Sequence, residues 1–295
     1  MFAELFAVMA PVLIVAGIGY AWVRSGQSYP TDFVTRLVLN VGTPCLVLST
    51  LSRTEVDALA FGQMALACVA VSVIMGAIGL LLSRGLAQDW KVLVPAYLFP
   101  NTGNMGLPIS LYAFGEQGLA LAVAFFLMLS VGHFTLGMLL SGAERSWRRL
   151  LVNPIILSLC AALAVMLLEV QLPRWLANTV NLLGGLSIPM MLITLGVSLA
   201  SIRPRHIGLG MLLGGLRILC GAAVGWAIAV ALELPPLAQG VLVLQSAMPV
   251  AVFNYLFAVR ANRSPEAVAG LVMCSTLLSF VLLPLLLVWW LPLAR

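Results

Sequence analysis

The stretch Phe99-Pro-Asn-Thr-Gly-Asn-Met-Gly-Leu-Pro-Ile109 interrupts an apolar run that begins near Val92 and continues to about Phe114. The run has the length of a membrane helix, yet its centre holds two prolines and two glycines. A proline supplies no backbone N–H and blocks the carbonyl four residues earlier, and in hydrocarbon each unsatisfied carbonyl costs several kcal/mol. Such a break is tolerated at membrane depth only where protein or a watery cavity surrounds it. The stretch therefore predicts a discontinuous span facing a polar interior.

Composition agrees with a membrane setting. Hydrophobic residues make up 62% of the 295 positions, charged residues 8%, and the mean hydropathy is +1.10, whereas a soluble domain carries about 25% charged residues. The chain reads as an integral membrane protein with no stretch left over for a soluble domain. Its net charge of +5 comes from arginines at segment ends and implies no nucleic-acid partner. Cys45, Cys68, Cys160, Cys220 and Cys274 are scattered singly, without a Cys-x-x-Cys, and read as small buried hydrophobes. The first segment has Glu4 before it and Arg24 after it, which is not the basic start of a signal peptide, so it is expected to be retained.

Requiring about 20 apolar residues per span gives ten: 3–23, 33–52, 58–83, 91–114, 118–141, 151–170, 175–200, 206–232, 236–259 and 266–291. An even count puts both termini on one side. Arg24, Arg36, Arg84, Lys91, Arg145, Arg148, Arg149, Arg203, Arg205, Arg260 and Arg263 fall on one face, and Arg53, Arg174 and Arg295 on the other. The positive-inside rule then makes the loop at 145–149 cytoplasmic and places both termini outside, periplasmic for a bacterial inner membrane.

Proline positions suggest an internal duplication. Pro11 pairs with Pro154 (154 − 11 = 143), Pro44 with Pro189 (189 − 44 = 145), and Pro108 with Pro249 (249 − 108 = 141); Glu116 pairs with Glu266 (266 − 116 = 150). Near-equal offsets predict two five-helix halves, 1–146 and 147–295. Five is odd, so the second half enters the membrane upside down. The expected fold is an all-α membrane protein of ten transmembrane helices in two inverted repeats, with the fourth and ninth broken and crossing near the midplane.

The ninth span carries its own interruption, Gln245-Ser-Ala-Met-Pro249, opposite Asn104-Met-Gly-Leu-Pro108. Each places a side-chain amide four residues before a proline, which predicts unpaired backbone carbonyls at Asn104 and Gln245. Each break also starts a fresh half-helix, whose N-terminus offers free N–H groups and about half a positive charge. Two such ends facing one cavity favour a carboxylate. Asn101, Thr102, Asn104, Pro108, Gln245, Ser246 and Pro249 are the candidate substrate-binding residues. Asn40 and Thr43 beside Pro44, Ser187 beside Pro189, Asn254, His133 and Arg217 are candidates for lining the same cavity.

At these positions the sequence resembles the auxin efflux carrier family, through Asn101-Thr-x-x-Met-Gly-x-Pro108, Gln245-x-x-x-Pro249 and the ten-span layout. The resemblance implies an organic-anion permease sharing its inverted-repeat architecture with the bile acid sodium symporters. It also implies that crossing helices hold the substrate carboxylate, with Asn101 as the contact from the fourth span. The plant members carry a long hydrophilic loop between the halves; here that loop is a handful of residues.

His133 and Arg217 lie deep within spans, where ionisable residues are functional candidates by default. A neutral imidazole bonded between helices is the alternative for the first, and snorkelling towards an interface for the second. Gly210-x-x-x-Gly214 and Gly221-x-x-x-Gly225 read as close helix packing. No Asp or Glu falls mid-span, and no P-loop, His-Glu-x-x-His, Gly-x-Ser-x-Gly or clustered metal ligands occur. No catalytic residue, metal or cofactor is expected, and the protein is not expected to be an enzyme. The expected partners are a small organic anion and the lipid bilayer, with a homodimer left open. A sodium-coupled organic-anion symporter and a non-transporting sensor or scaffold are the alternatives to an efflux permease.

Overall fold

The computed structural model describes residues 2–53, 58–137, 152–168, 171–202, 207–260 and 263–291. Helices run from end to end: α1 (Phe2–Arg24), α2 (Thr31–Arg53), α3 (Ala58–Gly85), α4 (Trp90–Leu98), α5 (Thr102–Gly132), α6 (Pro154–Leu167), α7 (Arg174–Ser201), α8 (Ile207–Ala231), α9 (Pro236–Ser246), α10 (Val252–Arg260) and α11 (Pro265–Trp290). Seven of these, α1, α2, α3, α5, α7, α8 and α11, are long and apolar enough to cross a membrane. The bundle is apolar outside as well as inside: Phe6, Leu66, Leu182, Trp226 and Trp289 stand exposed, the pattern of a surface that meets lipid. The protein is an all-helical integral membrane protein. The loop at 145–149, Arg203, Arg205, Arg295, the division at 146/147 and the end of the fifth expected span lie outside the described residues.

Local chemistry sets several boundaries. Asp89 caps α4 by accepting from the Lys91 N–H at 2.9 Å, and Asn153 caps α6 by accepting from Ile155 at 2.9 Å with Pro154 behind it, each satisfying an orphan donor of a first turn. Between the fourth and fifth expected spans no loop intervenes. One residue, Gly115, carries the turn at φ 68° and ψ −163°, a conformation open to glycine for want of a Cβ.

Small residues let the helices approach. A Cβ on Gly19 would strike the Ile193 carbonyl and one on Gly196 the Ala16 carbonyl, so α1 and α7 meet backbone to backbone. On α8, Gly210 and Gly214 lie against Gly270, Cys274 and Ser275 of α11, while Gly221 and Gly225 lie against Ser246 and Val243 of α9. Both glycine pairs are packing surfaces, as their spacing predicts.

Where prolines follow, the backbone register widens into π turns at Val38–Gly42 and Thr102–Gly106. In the first the Thr43 N–H bonds to the Val38 carbonyl, and in the second Leu107 bonds to Thr102, each five residues back. Pro44 and Pro108 follow one residue later and have no N–H to give the carbonyl four back, so the ladder slips by a residue just before them.

Candidate functional site: the meeting of two helix breaks

The chain leaves helical geometry at 99–101, between α4 and α5, and at 247–251, between α9 and α10. The two breaks lie against each other as a short antiparallel bridge between Pro100 and Val250. The Asn101 N–H donates to the Pro249 carbonyl at 2.8 Å, and the Ala251 N–H to the Phe99 carbonyl at 3.2 Å. The Asn254 amide adds a second donor to Phe99 O at 3.0 Å, and the Val250 N–H reaches the Ser275 hydroxyl of α11 at 3.1 Å. The Asn101 and Ala251 N–H groups and the Phe99 and Pro249 carbonyls, which stand where the helices stop, are thus satisfied across the bridge. Gln245 departs from expectation here, because its carbonyl is not orphaned: it accepts from the Met248 N–H at 3.4 Å in a final turn.

α4, α9 and α10 contain 9, 11 and 9 residues, or roughly 14–17 Å at 1.5 Å per residue. That is about half of a 30 Å hydrocarbon layer.

The side chains around the bridge are buried. Asn101 and Asn254 are 4% exposed and Gln245 and Ser246 0%; Thr102, Pro108 and Pro249 are buried with them. Gln245 donates from Nε2 to the Ser110 hydroxyl at 3.1 Å. Asn101 Nδ2, Gln245 Oε1, Asn254 Oδ1 and Ser246 Oγ have no hydrogen-bond partner among the described residues. Buried polar groups are normally paired, so the density of unpaired ones sets this place apart from the packing around it.

A cavity of about 180 Å³ opens beside the bridge. Asn104, in the first turn of α5, and Val252 and Phe253, at the start of α10, form its inner wall; Thr31 and Thr35 of α2 and Thr194, Ser198 and Ser201 of α7 form its sides. Asn104 is the one candidate that lines it. The seryl lining escaped the sequence reading, although Thr194-x-x-x-Ser198-x-x-Ser201 is a one-face helical spacing within an otherwise apolar segment. Ser198 and Ser201 return their hydroxyls to the carbonyls of Thr194 and Val197 at 2.8 and 2.9 Å. Near the cavity Tyr29 shares a 2.8 Å hydrogen bond with Thr194. Burial raises the Tyr29 hydroxyl above its ordinary pKa, with the Thr194 bond working the other way, so this contact stays protonated at neutral pH.

The remaining candidates divide. Asn40 is exposed and does not line the cavity. Thr43 and Ser187 are buried where α2 meets α7, each hydroxyl without a described partner; a Cβ on Gly42 would lie 2.5 Å from Ser187 Oγ. His133 is stacked on Phe99 of the break, with ring centroids 4.1 Å apart and planes 7° apart, and Phe253 and Phe257 close its other sides. Arg217 does not snorkel. It is fully buried and donates from Nη1 to the Ser246 carbonyl at 2.8 Å.

Comparison with known proteins gives one family. Residues 5–141 and 133–287 match the membrane transport protein family model. The chain is similar to an "Uncharacterized transporter" of Methanothermobacter thermautotrophicus, 29% identical over 93% of this chain and 94% of that protein. It is also similar to a Rhizobium meliloti protein named "Putative malonate transporter", 26% identical over 68% of each chain. An "Uncharacterized transporter" of Methanocaldococcus jannaschii is 22% identical over 93% of this chain and 95% of its own length.

Proposed function

We propose, from the premise that this chain belongs to the membrane transport protein family, that it is a secondary carrier exporting small organic anions, carboxylates above all. The observation that carries this reading is the cavity's inner wall. Asn104 and the first residues of α10 bring the starts of two half-helices to one space, and each start contributes free N–H groups and about half a positive charge. The Asn101 amide, with its unpartnered Nδ2, is the neighbouring donor. A volume of about 180 Å³ suits a small acid, since drug-sized ligands occupy about 300–1,000 Å³. The name of the Rhizobium relative points to the same substrate class.

Sidedness supports export. The cavity is walled by the first part of α2, the end of α7 and α10, elements whose outer ends adjoin Arg24, Arg203, Arg205 and Arg260. By the positive-inside rule that end is cytoplasmic, which leaves both termini outside and the cavity open to the compartment an exporter loads from. The interior-negative potential then drives an anion outward by about 2.3 kcal/mol per charge per 100 mV.

Helix pairing supports ten spans in two inverted halves. Taking α4 with the first part of α5 as the fourth span, and α9 with α10 as the ninth, contacts come in mates: α1 packs on α7 and α2 on α6; α3 packs on α4 and α8 on α9; α3 packs on the second part of α5 and α8 on α11. Exchanging the halves, 1–146 for 147–295, maps each pair onto its mate.

Counterflow of radiolabelled mono- and dicarboxylates in sodium-free proteoliposomes tests the function. Exchange of a small carboxylate is expected. Strict sodium dependence would make the protein a symporter, and a folded preparation that neither binds nor exchanges any carboxylate would make it a sensor or scaffold.

A further inference from the structure

Arg217 is used in only one direction. Its Nη1 is tied to the Ser246 carbonyl, the last residue of α9, at 2.8 Å. A cation there offsets the negative end of that half-helix. Nε and Nη2, however, have no partner among the described residues, and the guanidinium is fully buried. Among the described residues the acidic side chains are Glu4, Asp32, Asp89, Glu116, Glu233 and Glu266; all stand at helix starts, turns or linkers and none in the middle of a span. The Ser246 hydroxyl, on the residue that anchors Nη1, is also buried and unpartnered. The cavity that reaches Asn104 includes neither Arg217 nor Ser246 in its lining.

The unpaired edge has a definite chemistry. Nε–H and Nη2–H leave the guanidinium side by side in one plane, and this pair of parallel donors matches the two oxygens of a carboxylate. A buried charge without a partner is among the most expensive groups a protein can hold. Were Arg217 only a cap for α9, one donor would suffice and a lysine would serve as well. We infer that Arg217, through its Nε–Nη2 edge, and the Ser246 hydroxyl form a second anion site for one carboxylate group, behind the α9 break and separate from the Asn104 cavity. This site does not depend on transport.

The test uses the purified full chain in detergent, with acetate and chloride as probes at matched ionic strength and the thermal unfolding midpoint as readout. Work in an Asn101→Ala background weakens the amide site, so the saturable stabilisation by acetate that remains reports the arginine. Adding Arg217→Lys, which keeps a charge near the end of α9 and loses the planar fork, is expected to raise the half-saturating acetate concentration about 10- to 150-fold. Ser246→Ala, a milder change should the lysine variant fail to fold, is expected to raise it several-fold. The inference is overturned if Asn101→Ala alone abolishes the saturable response, if both added substitutions leave it unchanged, or if chloride stabilises as well as acetate. Loss of carboxylate counterflow alongside a normal Arg217-dependent acetate response would remove the carrier reading and leave this site standing.

Discussion

Asn101 engages the break with two different groups. Its backbone N–H holds the opposite chain at Pro249 O, while its side-chain Nδ2 is buried with no described acceptor. Only the second is lost on mutation to alanine. Asn101→Ala is therefore expected to leave the bridge and the fold intact and to weaken carboxylate binding about 10- to 150-fold, the loss of one charge-assisted hydrogen bond of roughly 1.5–3 kcal/mol. Isothermal titration of the purified variant with the acid identified by counterflow measures it; parent-like affinity would remove Asn101 from the site. The place of this residue at a helix break was legible because a polar amide beside a proline in hydrocarbon has few reasons to exist. Asn40 shows where that logic stops. Asn40-Val-Gly-Thr-Pro44 and Asn104-Met-Gly-Leu-Pro108 share the pattern Asn-x-Gly-x-Pro, and both asparagines sit in a π turn just before the proline. One lines the cavity and the other is exposed. The pattern encodes a backbone register, while the direction the amide faces is set by what the turn packs against, which a single sequence does not contain.

At the scale of helices, prolines located the breaks because they delete a donor wherever they stand. The π turns were hidden for a different reason: each is a choice of hydrogen-bond register among nearly equivalent residues, decided by neighbouring helices, whereas the turn at Gly115 falls between the expected span ends at 114 and 118. Glycines show the same split. Gly17 and Gly196 look alike in sequence, yet a Cβ on Gly17 would meet nothing within 4 Å, while one on Gly196 would meet the Ala16 carbonyl and, at 2.8 Å, the Tyr20 nitrogen. Backbone atoms cannot move aside as a side chain can. Gly196→Ala is expected to force α1 from α7 and destabilise by about 1–3 kcal/mol or more. Gly17→Ala, at an open helical position, is expected to be neutral or to stabilise by up to roughly 1 kcal/mol. Thermal unfolding of the two variants in the same detergent compares them directly, and equal midpoints would mean that the α1–α7 seam is not held backbone to backbone.

For the molecule as a whole, the cavity has a side. Its walls combine α2, the end of α7 and α10, and Asn104 and Val252 in its lining follow closely in the chain on Pro100 and Val250 of the bridge. A carrier must offer one site to the two faces in turn, and inverted halves supply two such arrangements from one chain by exchanging the roles of the repeats. Under the proposed orientation, the conformation described here is the state open towards the arginine-rich face, and exchanging the roles of the halves gives the other. A single cysteine at Thr35 or Ser198, in a background with Cys45, Cys68, Cys160, Cys220 and Cys274 replaced, reads this directly through a membrane-impermeant maleimide. Labelling is expected in inside-out vesicles, slowed by the transported acid because the ligand and the thiol compete for about 180 Å³, and absent from right-side-out vesicles until substrate drives the exchange. A parallel pair at Leu13 and Leu285, exposed on the outer surface, is expected to resist the reagent from both sides because lipid covers it. Labelling at Ser198 from the right-side-out face alone would reverse the orientation, and with it the argument that this carrier loads its anion from the cytoplasm.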